Sequence, residues 1–568
     1  MTQAAAVDPM KVFAAAARIL AEEPMFAVGE ADIRGNTYRV FKNAPPSLVG
    51  IFLFGTQFAD KDFLIYEDER LTFAETWERA CRFANALARD FKIGKGDKVA
   101  IAMRNFPEWC ISYMAIISLG AVVVPLNAWW KNEELHYGLA DCGAKLVIVD
   151  DKRMERILPC KKDLGLTLIL ARGGGEGADH HYEELLESCW DASVPSVDIQ
   201  PEDDFCIVYT SGSTGNSKGV ILTHRGVVST LLSWAFVASA LKEARGGESL
   251  FGDNPGILLA VPLFHVTGSH SLFLMSMLIG RRVVMMYKWD PKKAVELINH
   301  HQLTNFVGVP SQSYELVDAA GDTSMPSLLD IGSGGAKRPP EHVKLLKKKF
   351  PNANPASGYG LSETNALGCI ISLDDYQKHP DSTGRPVPPV TDIKIMMEEG
   401  EAQTGEVGEI WIRSPANFRG YLNLPEETAK SLTPDGWFKS GDLGRFDEEG
   451  FLYIVDRTKD VIIRGGENIS SLEVEHRAHE FPGVAEVAAF SVPDEVLGER
   501  VGLVVYPKPG ATVEPLALRD FIAAELAEFK VPERIWISPV PLPRLGTEKF
   551  DKRTVRMIAL QHPPAYSA

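Results

Sequence analysis

Short apolar runs rich in β-branched residues alternate with helical patterns over residues 71–335, and this alternation constrains the fold more than any other feature. Strands separated by helices are typical of largely parallel sheets that are covered by helices. The sequence therefore predicts an α/β fold. The runs that carry this prediction are VAIAM at 99–103, AVVVP at 121–125, KLVIV at 145–149, ILLAV at 257–261 and RVVMM at 282–286.

The pattern changes after about residue 384, where strands bounded by Gly and Pro, such as GEIWIR at 408–413, predict a small β-rich subdomain. A charged stretch at 456–460 then precedes a segment that mixes strands with a helix near 516–526. A chain of 568 residues exceeds what one hydrophobic core serves. We therefore expect a large N-terminal domain over residues 1–456 and a small mobile α+β C-terminal domain over residues 457–568.

The net charge of −17 offers no field that attracts phosphate backbones, which argues against a nucleic acid as the partner. The seven cysteines show neither CxxC spacing nor an even count, so neither a zinc site nor a disulfide framework is predicted. No positive charge precedes Lys11, so we expect no secretory signal and a cytoplasmic location. Gly120 and Pro125 divide the most membrane-like stretch, 111–130, into a predicted buried helix and a strand, so no integral membrane segment is expected.

The segment YTSGSTGNSKG at 209–219 follows the apolar run FCIVY and combines hydroxyls, glycines and a lysine. Backbone N–H groups and hydroxyls at a strand end can donate to phosphate oxygens, while Lys218 supplies positive charge. This pattern predicts a phosphate-binding loop. Its candidate ligands are Thr210, Ser211, Gly212, Ser213, Thr214, Gly215 and Lys218.

Two other loop types share parts of this pattern. A Walker loop requires Gly-Lys-[Ser/Thr], whereas Lys218 stands between Ser217 and Gly219, so a P-loop kinase or GTPase is disfavoured. Residues 215–219 also match the GxSxG nucleophile elbow, which requires its serine immediately at a strand-to-helix turn. The predicted strand ends about eight residues before Ser217. A serine hydrolase is therefore a lesser alternative.

The loop resembles that of the adenylate-forming superfamily, which includes acyl-CoA synthetases, aryl-CoA ligases, luciferases and peptide-synthetase adenylation domains. Further family-like segments follow in the same order, so the resemblance covers about residues 71–556. The family usually has Pro before the loop lysine, where this chain has Ser217. The resemblance implies that ATP and Mg²⁺ are used to convert a carboxylic acid to an acyl-adenylate.

The segment SGYGLSET at 357–364 resembles the family's adenine and magnesium segment. It implies that Tyr359 offers a flat face to adenine, Ser362 a hydroxyl to phosphate or metal, and Glu363 an oxygen ligand to Mg²⁺. The segment GWFKSGD at 436–442 resembles the ribose segment, with Asp442 accepting hydrogen bonds from the ribose hydroxyls. Further nucleotide contacts are expected at Gly334, Gly335, Ser357, Gly358, Gly360 and Arg457.

The C-terminal motifs resemble those that serve the two half-reactions of the family. In DRTKD at 456–460, Lys459 falls at the hinge, and Arg464, Gly465 and Gly466 fall where pantetheine approaches. Lys549 falls at the position of the catalytic lysine, with Glu548 in place of the usual Gly. The resemblance implies that the acid-binding walls include Trp234, His265, Val309 and Gly334.

We expect the acid to attack the α-phosphate of ATP with release of pyrophosphate, after which CoA displaces AMP to give a thioester. Lys549, Lys218 and Mg²⁺ at Glu363 would offset the repulsion between anions, with Ser362 completing the expected catalytic set. A medium or long aliphatic or a bulky apolar acid is favoured over acetate. The alternatives are an amine or a separate carrier protein as acceptor, and a non-catalytic ATP-binding regulator; the oligomeric state stays open, with a homodimer as one alternative.

Overall fold

The computed structural model describes residues 8–210, 217–335, 338–545 and 549–567. The chain forms two compact units, one of Met1–Ile393 with Ile412–Phe438 and one of Lys394–Trp411 with Lys439–Ala568. The second unit thus includes part of the β-rich region as well as residues 457–568. The predicted domain boundary after residue 456 stays a prediction.

The first sheet of the first unit has a parallel centre, as the apolar runs predict, because the strands from residue 98 to residue 172 are joined by helical crossovers. Towards one edge of this sheet, the strand Lys218–Thr223 pairs antiparallel with both Asp204–Thr210 and Gly420–Tyr421. In order across the sheet the strands are Gly420–Tyr421, Lys218–Thr223, Asp204–Thr210, Val122–Pro125, Lys98–Ala102, Leu146–Asp150, Thr167–Arg172 and His180–His181.

The second sheet of this unit is also parallel at its centre and antiparallel at both edges. In order across the sheet the strands are Arg385–Pro386, Cys369–Ser372, Asn354–Tyr359, Asp330–Gly334, Asn305–Gly308, Gly256–Leu259, Arg282–Met285, Asp62–Tyr66 and Glu69–Thr72. A separate hairpin pairs Val28–Ile33 with Asn36–Phe41. The predicted α/β fold class is confirmed.

Helices cover these sheets, and their ends carry the expected signals. Phe73–Phe91 begins with a capping box in which Thr72 and Glu75 satisfy each other's backbone N–H groups. The α-helices of the unit are Pro9–Glu22, Leu48–Gly55, Phe73–Phe91, Pro107–Ser118, Asn132–Cys142, Asp151–Leu164, Tyr182–Ser188, His224–Ala244, Met275–Ile279, Pro291–His300, Pro310–Ala320, Pro340–Lys349, Leu373–Lys378 and Pro425–Ser431, and Thr267–Leu274 is a π-helix.

The stretch 111–130 divides as predicted into the buried helix Pro107–Ser118 and the strand Val122–Pro125. Within the described ranges, one helix, His224–Ala244, has the length and apolar character needed to cross a membrane. Half of its most apolar segment is buried inside the fold. Such burial is equally a property of core helices. All seven cysteine thiols are buried, and within the described ranges none forms a disulfide bond.

The second unit contains two sheets. The strands of the β-rich sheet are Gly400–Glu401, Asp392–Met397, Gly408–Arg413, Phe438–Phe446 and Leu452–Arg457. The C-terminal sheet contains Glu467–Ile469, Ile462–Arg464, Gly498–Pro507, Arg534–Ile537 and Tyr566–Ser567, with Val484–Asp494 also paired to Gly498–Pro507. Its helices are Ser471–His479, Pro515–Ala523 and Lys552–Leu560.

Candidate active site

The predicted phosphate-binding loop connects two antiparallel strands. Thr210 pairs with Lys218 at the loop end of the hairpin, and the Thr210 hydroxyl donates to the Lys218 carbonyl at 3.4 Å. The strand Lys218–Thr223 begins directly after Ser217. A nucleophile elbow needs a helix at that point, so the geometry argues against the hydrolase alternative. The predicted ligands Ser211, Gly212, Ser213, Thr214 and Gly215 lie outside the described residues.

Lys218 lies beside an anion that the sequence motifs did not reveal. Its Nζ donates to Oε2 of Glu427 at 2.6 Å and lies 5.1 Å from the centre of the Tyr421 ring. Hydrogen bonds from Lys218 and Lys430 lower the pKa of the Glu427 carboxyl to about 2. The loop lysine is therefore paired with a carboxylate at the position where we expect it to meet phosphate.

Tyr421 connects this lysine to the predicted metal ligand. The strand Gly420–Tyr421 pairs with Lys218–Thr223 and so places the tyrosine next to the loop. Its hydroxyl donates to Oε1 of Glu363 at 2.8 Å. Burial, reinforced by the Glu363 charge, raises the pKa of the Tyr421 phenol, so it stays a hydrogen-bond donor.

The carboxyl ends of neighbouring parallel strands bring several predicted residues together. Gly334 pairs with Gly358, and Gly308, which precedes Val309, pairs with Ser333. Ligands of open α/β sheets bind outside the carboxyl ends of the strands. Within the described part of the chain, a Cβ atom built on Gly334 would meet only the Gly358 carbonyl oxygen, at 3.8 Å, so these residues leave space beside this edge. Tyr359 ends the next strand and is 8% exposed.

Gly360 is required by a close approach of two backbone segments. A Cβ atom at this position would lie 2.2 Å from the carbonyl oxygen of Ala366. The chain then turns through the short 3₁₀ helix Ser362–Thr364, which carries Glu363, 9% exposed. Gly335 follows the strand Asp330–Gly334 with a φ of 80°, which favours glycine.

The expected acid-binding residues come from separate elements. Trp234 lies half-buried on the helix His224–Ala244, and its side chain packs against an apolar cluster that includes Ala416. His265 lies just before the π-helix Thr267–Leu274, and its carbonyl accepts from the backbone N–H of Ser269 at 2.9 Å. π-Helical turns are frequent at functional sites.

The imidazole of His270 joins the π-helix to Asn365, which directly follows the predicted adenine and magnesium segment. Its Nε2 lies 3.1 Å from Oδ1 of Asn365, whose Nδ2 donates to the Ala416 carbonyl at 2.7 Å. A carbonyl only accepts, so Oδ1 faces the imidazole and Nε2 carries the proton. Burial lowers the pKa of His270 to about 4, which keeps the ring neutral. The sequence motifs did not indicate this residue.

In the second unit, the predicted ribose ligand and its basic neighbour pair with each other. Asp442 and Arg457 are opposite residues of antiparallel strands, and the Nε of Arg457 lies 3.1 Å from Oδ1 of Asp442. Asp442 is 4% exposed, whereas the arginine side chain is 43% exposed. Lys459 lies in the turn that follows, and burial, together with Arg457, lowers its pKa.

Gly465 and Gly466 form the turn of a hairpin, with φ angles of 60° and 92°. Two consecutive positive φ values are typical of a type I′ turn, which accounts for both glycines without a ligand. Arg464 is held by an ion pair of 2.8 Å between its Nε and Oε1 of Glu533. Among the residues that the structure describes, none would lie within 4 Å of a Cβ atom at Gly466, so these residues leave the space above the turn open.

Lys549 lies next to a short antiparallel pairing between residues 543–545 and residues 549–551. Its carbonyl accepts from the N–H of Leu545 at 2.7 Å, and Arg544 forms a β-bridge with Phe550. Glu486 anchors the hairpin through Arg544, with Nη2 and Oε1 2.6 Å apart. Glu548 lies outside the described residues.

Two family models match the chain, "AMP-binding enzyme" over residues 54–422 and "AMP-binding enzyme C-terminal domain" over residues 473–549. The chain belongs to the AMP-binding enzyme family. The first match contains the phosphate loop, Tyr421 and Glu363, and the second ends at Lys549.

Curated AMP-binding relatives and a solved structure resemble the chain over most of its length. A long-chain-fatty-acid–CoA ligase of Mycobacterium tuberculosis is 31% identical over 86% of this chain and 93% of its own. One from Bacillus subtilis is 33% identical over 84% and 88%. The structure of O-succinylbenzoate coenzyme A synthetase from Bacillus subtilis, in complex with ATP and magnesium ion, has a TM-score of 0.76 at 26% identity and covers 90% of this chain and 100% of that chain.

The donor set around Glu363 fits a magnesium ion that arrives with ATP. Mg²⁺ is usually bound through one or two carboxylates, several waters and the substrate's phosphates. Glu363 would supply such a carboxylate, oriented by its hydrogen bond from Tyr421, and Ser362 would add a hydroxyl from the neighbouring position in the sequence. Within the described part of the chain, no cluster of three or more His, Cys, Asp or Glu residues could hold a metal by itself.

Proposed function

We propose that the protein activates a medium or long aliphatic or a bulky apolar carboxylic acid with ATP and transfers the acyl group to CoA. The products are acyl-CoA, AMP and pyrophosphate. The observation that carries this proposal is the contact series from Lys218 through Tyr421 to Glu363, which lies beside the phosphate loop of an AMP-binding enzyme. A cation and a magnesium ligand next to that loop are the groups that attack on the α-phosphate requires.

Each polar residue has a distinct part in the first half-reaction. Mg²⁺, when bound, neutralises phosphate charge, and Glu363 would hold it. Lys218 exchanges its contact with Glu427 for phosphate oxygens, and Lys549 supplies charge to the carboxylate and the α-phosphate. Asp442 accepts hydrogen bonds from the ribose hydroxyls, while Arg457 holds that carboxylate in place.

The second half-reaction uses the open turn at Gly465 and Gly466, where pantetheine can approach the backbone closely. The acyl chain is assigned to the region of Trp234, His265, Val309 and Gly334. The apolar character of the π-helix Thr267–Leu274 and of Met275–Ile279 supports an apolar acid. The names of the two fatty-acid–CoA ligase relatives agree with this class. We expect a cytoplasmic location for this reaction.

The test is pyrophosphate release by the purified protein with acetate, octanoate, palmitate, an aryl acid and a steroid-like acid, each with and without CoA. We expect CoA-dependent turnover of the apolar acids. Turnover of acetate, with no activity on acids of eight or more carbons, would reject the substrate class. Pyrophosphate release with trapping by an amine but not by CoA would favour the other acceptors, and no release with any acid would contradict the proposed function.

Replacing Trp234 by Ala tests the acyl pocket within the same panel. A pocket residue should change the order of preferred acids while the KM for ATP changes little. A loss of folding, without a new preference in the remaining native protein, would instead assign Trp234 to packing.

A further inference from the structure

Four polar side chains of the second unit form a connected group, the hinge cluster, which consists of Asp456, Ser471, Glu475 and Lys552. Lys552 Nζ donates to the Ser471 hydroxyl at 2.8 Å and lies 2.7 Å from Oε1 of Glu475. The carboxylate of Asp456 accepts from the backbone N–H of Ser471, and its Oδ1 lies 3.3 Å from the Ser471 hydroxyl. Asp456 and Ser471 are 1% and 0% exposed.

The cluster joins three parts of the chain that are distant in sequence. Asp456 immediately precedes Arg457 and the turn that contains Lys459. Ser471 and Glu475 lie on the first helix after that turn, Ser471–His479. Lys552 begins the last helix, three residues after Lys549. The cluster therefore connects the residue before the predicted hinge to the end of the hairpin that carries the predicted catalytic lysine.

A buried ion pair adds little to the free energy of unfolding, because the cost of removing both charges from water is about as large as their mutual attraction. A buried ion pair has a more specific effect, which is to hold the charged groups and their hydrogen-bond partners in one arrangement. Although burial lowers the pKa of Lys552, the carboxylates of Glu475 and Asp456 raise it above the ordinary value, so the ammonium stays charged. Glu475 is fixed from another side, because its Oε1 accepts from the backbone N–H of Ala489 at 2.7 Å.

We propose that Lys552 is a positioning residue that fixes the Lys549 hairpin relative to Asp456, so that the catalytic lysine and the hinge keep one spatial relationship. The inference rests on the proposed function for the role of Lys549. Its structural content, that Lys552 is joined to Asp456 through Ser471, can be measured without any activity.

The test uses a double variant, because Lys552→Met alone would leave Glu475 buried without its cation. In Lys552→Met/Glu475→Gln both charges are removed, while the Gln amide oxygen can still accept from Ala489. The matched control is Lys530→Met/Glu473→Gln, which removes a different ion pair of 2.7 Å from the same helix, outside the hinge cluster. The conservative variant Lys552→Arg keeps the charge.

Hydrogen–deuterium exchange and both half-reactions are measured on these variants. We expect faster exchange in peptides of residues 456–460 and 542–551 of the double variant, and wild-type exchange there in the control. Pyrophosphate exchange should fall by roughly 10- to 100-fold through kcat, as expected for a misplaced catalytic group. Thioester formation from supplied acyl-adenylate should stay within about 3-fold of the wild type, on the same reasoning. Lys552→Arg should recover most of the first activity.

Unchanged exchange in both peptides would overturn the proposal, as would an equal loss of both half-reactions or an equal effect of the control pair. A wild-type protein that releases no pyrophosphate with any acid would reject the proposed function instead. In that case the exchange data alone decide whether Lys552 joins the hairpin to the hinge turn.

Discussion

The hydroxyl of Tyr421 donates a hydrogen bond of 2.8 Å to Oε1 of Glu363, and the ring of the same tyrosine lies below the ammonium group of Lys218. One side chain thus contacts both the predicted metal ligand and the predicted phosphate ligand. Groups that orient a metal ligand typically change metal affinity by about 10- to 100-fold when they are removed.

Replacing Tyr421 by Phe should therefore weaken the use of Mg²⁺. We expect the magnesium concentration needed for half-maximal pyrophosphate exchange to rise by about 10-fold, because Glu363 loses the donor that orients it. The control is Tyr38→Phe, which removes a buried phenol that donates to the Gly436 carbonyl at 3.2 Å. An identical magnesium dependence in Tyr421→Phe and wild type would contradict this role.

Replacing Glu427 by Gln should strengthen ATP binding. The proposed binding of phosphate to Lys218 requires that phosphate displace the Glu427 carboxylate, whose partly exposed ion pair with Lys218 is weak and is screened by salt. We expect the KM for ATP to fall by up to about 5-fold at low salt and by less at high salt. Lys218→Met should raise the KM. A raised KM in Glu427→Gln would show that the carboxylate assists nucleotide binding and does not compete with it.

Replacing Lys549 by Ala should separate the two half-reactions. Loss of a charge that acts where negative charge develops costs about 3–4 kcal/mol in the barrier, which is a loss of roughly 10²- to 10³-fold in pyrophosphate exchange. Conversion of supplied acyl-adenylate and CoA to thioester should persist. Arg544→Ala, which removes the anchor to Glu486, should give a smaller loss in the same assay. Equal losses of both half-reactions in folded Lys549→Ala would assign the lysine to both steps.

Replacing Gly466 by Leu should have the reverse effect, because its side chain would occupy the open space where pantetheine is expected. A positive φ of 92° also strains the turn, so the control is Gly510→Leu, at a turn of the same unit with a φ of 78° and equally open surroundings. We expect thioester formation to fall only in Gly466→Leu, with pyrophosphate exchange retained in both. The same loss in Gly510→Leu would trace the effect to turn strain.

Acid should destabilise the first unit through two buried imidazoles. Burial lowers the pKa of His224 and of His270 to about 4 in the fold, from an ordinary value of 6.5. The unfolded chain therefore binds these protons first as the pH falls, so the stability is fully present above about 6.5 and is lost from there towards 4. Each group lowers the free energy of unfolding by about 1.6 kcal/mol between pH 6.5 and 5.

The measurement is the Tm at pH 7.5 and at pH 5 for wild type and His270→Gln. We expect the variant to lose less Tm on acidification than the wild type, because one of the two titrating groups is gone. His181→Gln, at an exposed position, should keep the wild-type pH dependence. An equal acid sensitivity in all three proteins would exclude His270 as a cause.

Replacing Lys459 by Pro tests the predicted hinge. A hinge residue must change its backbone dihedral angles when the domain rotates, and the ring of proline fixes φ. The variant should keep single turnovers of each half-reaction when they are assayed separately but lose steady-state formation of thioester. An unaffected steady state would place the pivot elsewhere.

The sequence by itself determined the features that local patterns encode. Alternating strands and helices predicted the parallel sheets, and Gly120 with Pro125 predicted the division between Pro107–Ser118 and Val122–Pro125. Each of these features depends on spacing along a short stretch of chain, where periodicity and turn residues act directly. That Asp442 and Arg457 both contact the nucleotide was expected from the family resemblance and stays a prediction.

The tertiary structure alone decided which distant side chains complete the site. Glu427 lies 209 residues from Lys218 in the sequence, and the strand Gly420–Tyr421 is too short to show any periodicity. Its place is set by pairing with Lys218–Thr223 at a sheet edge. The hinge cluster likewise forms because two helices and a strand end bury their polar groups against each other. Burial and strand register are properties of the packed chain, so no local pattern predicts them.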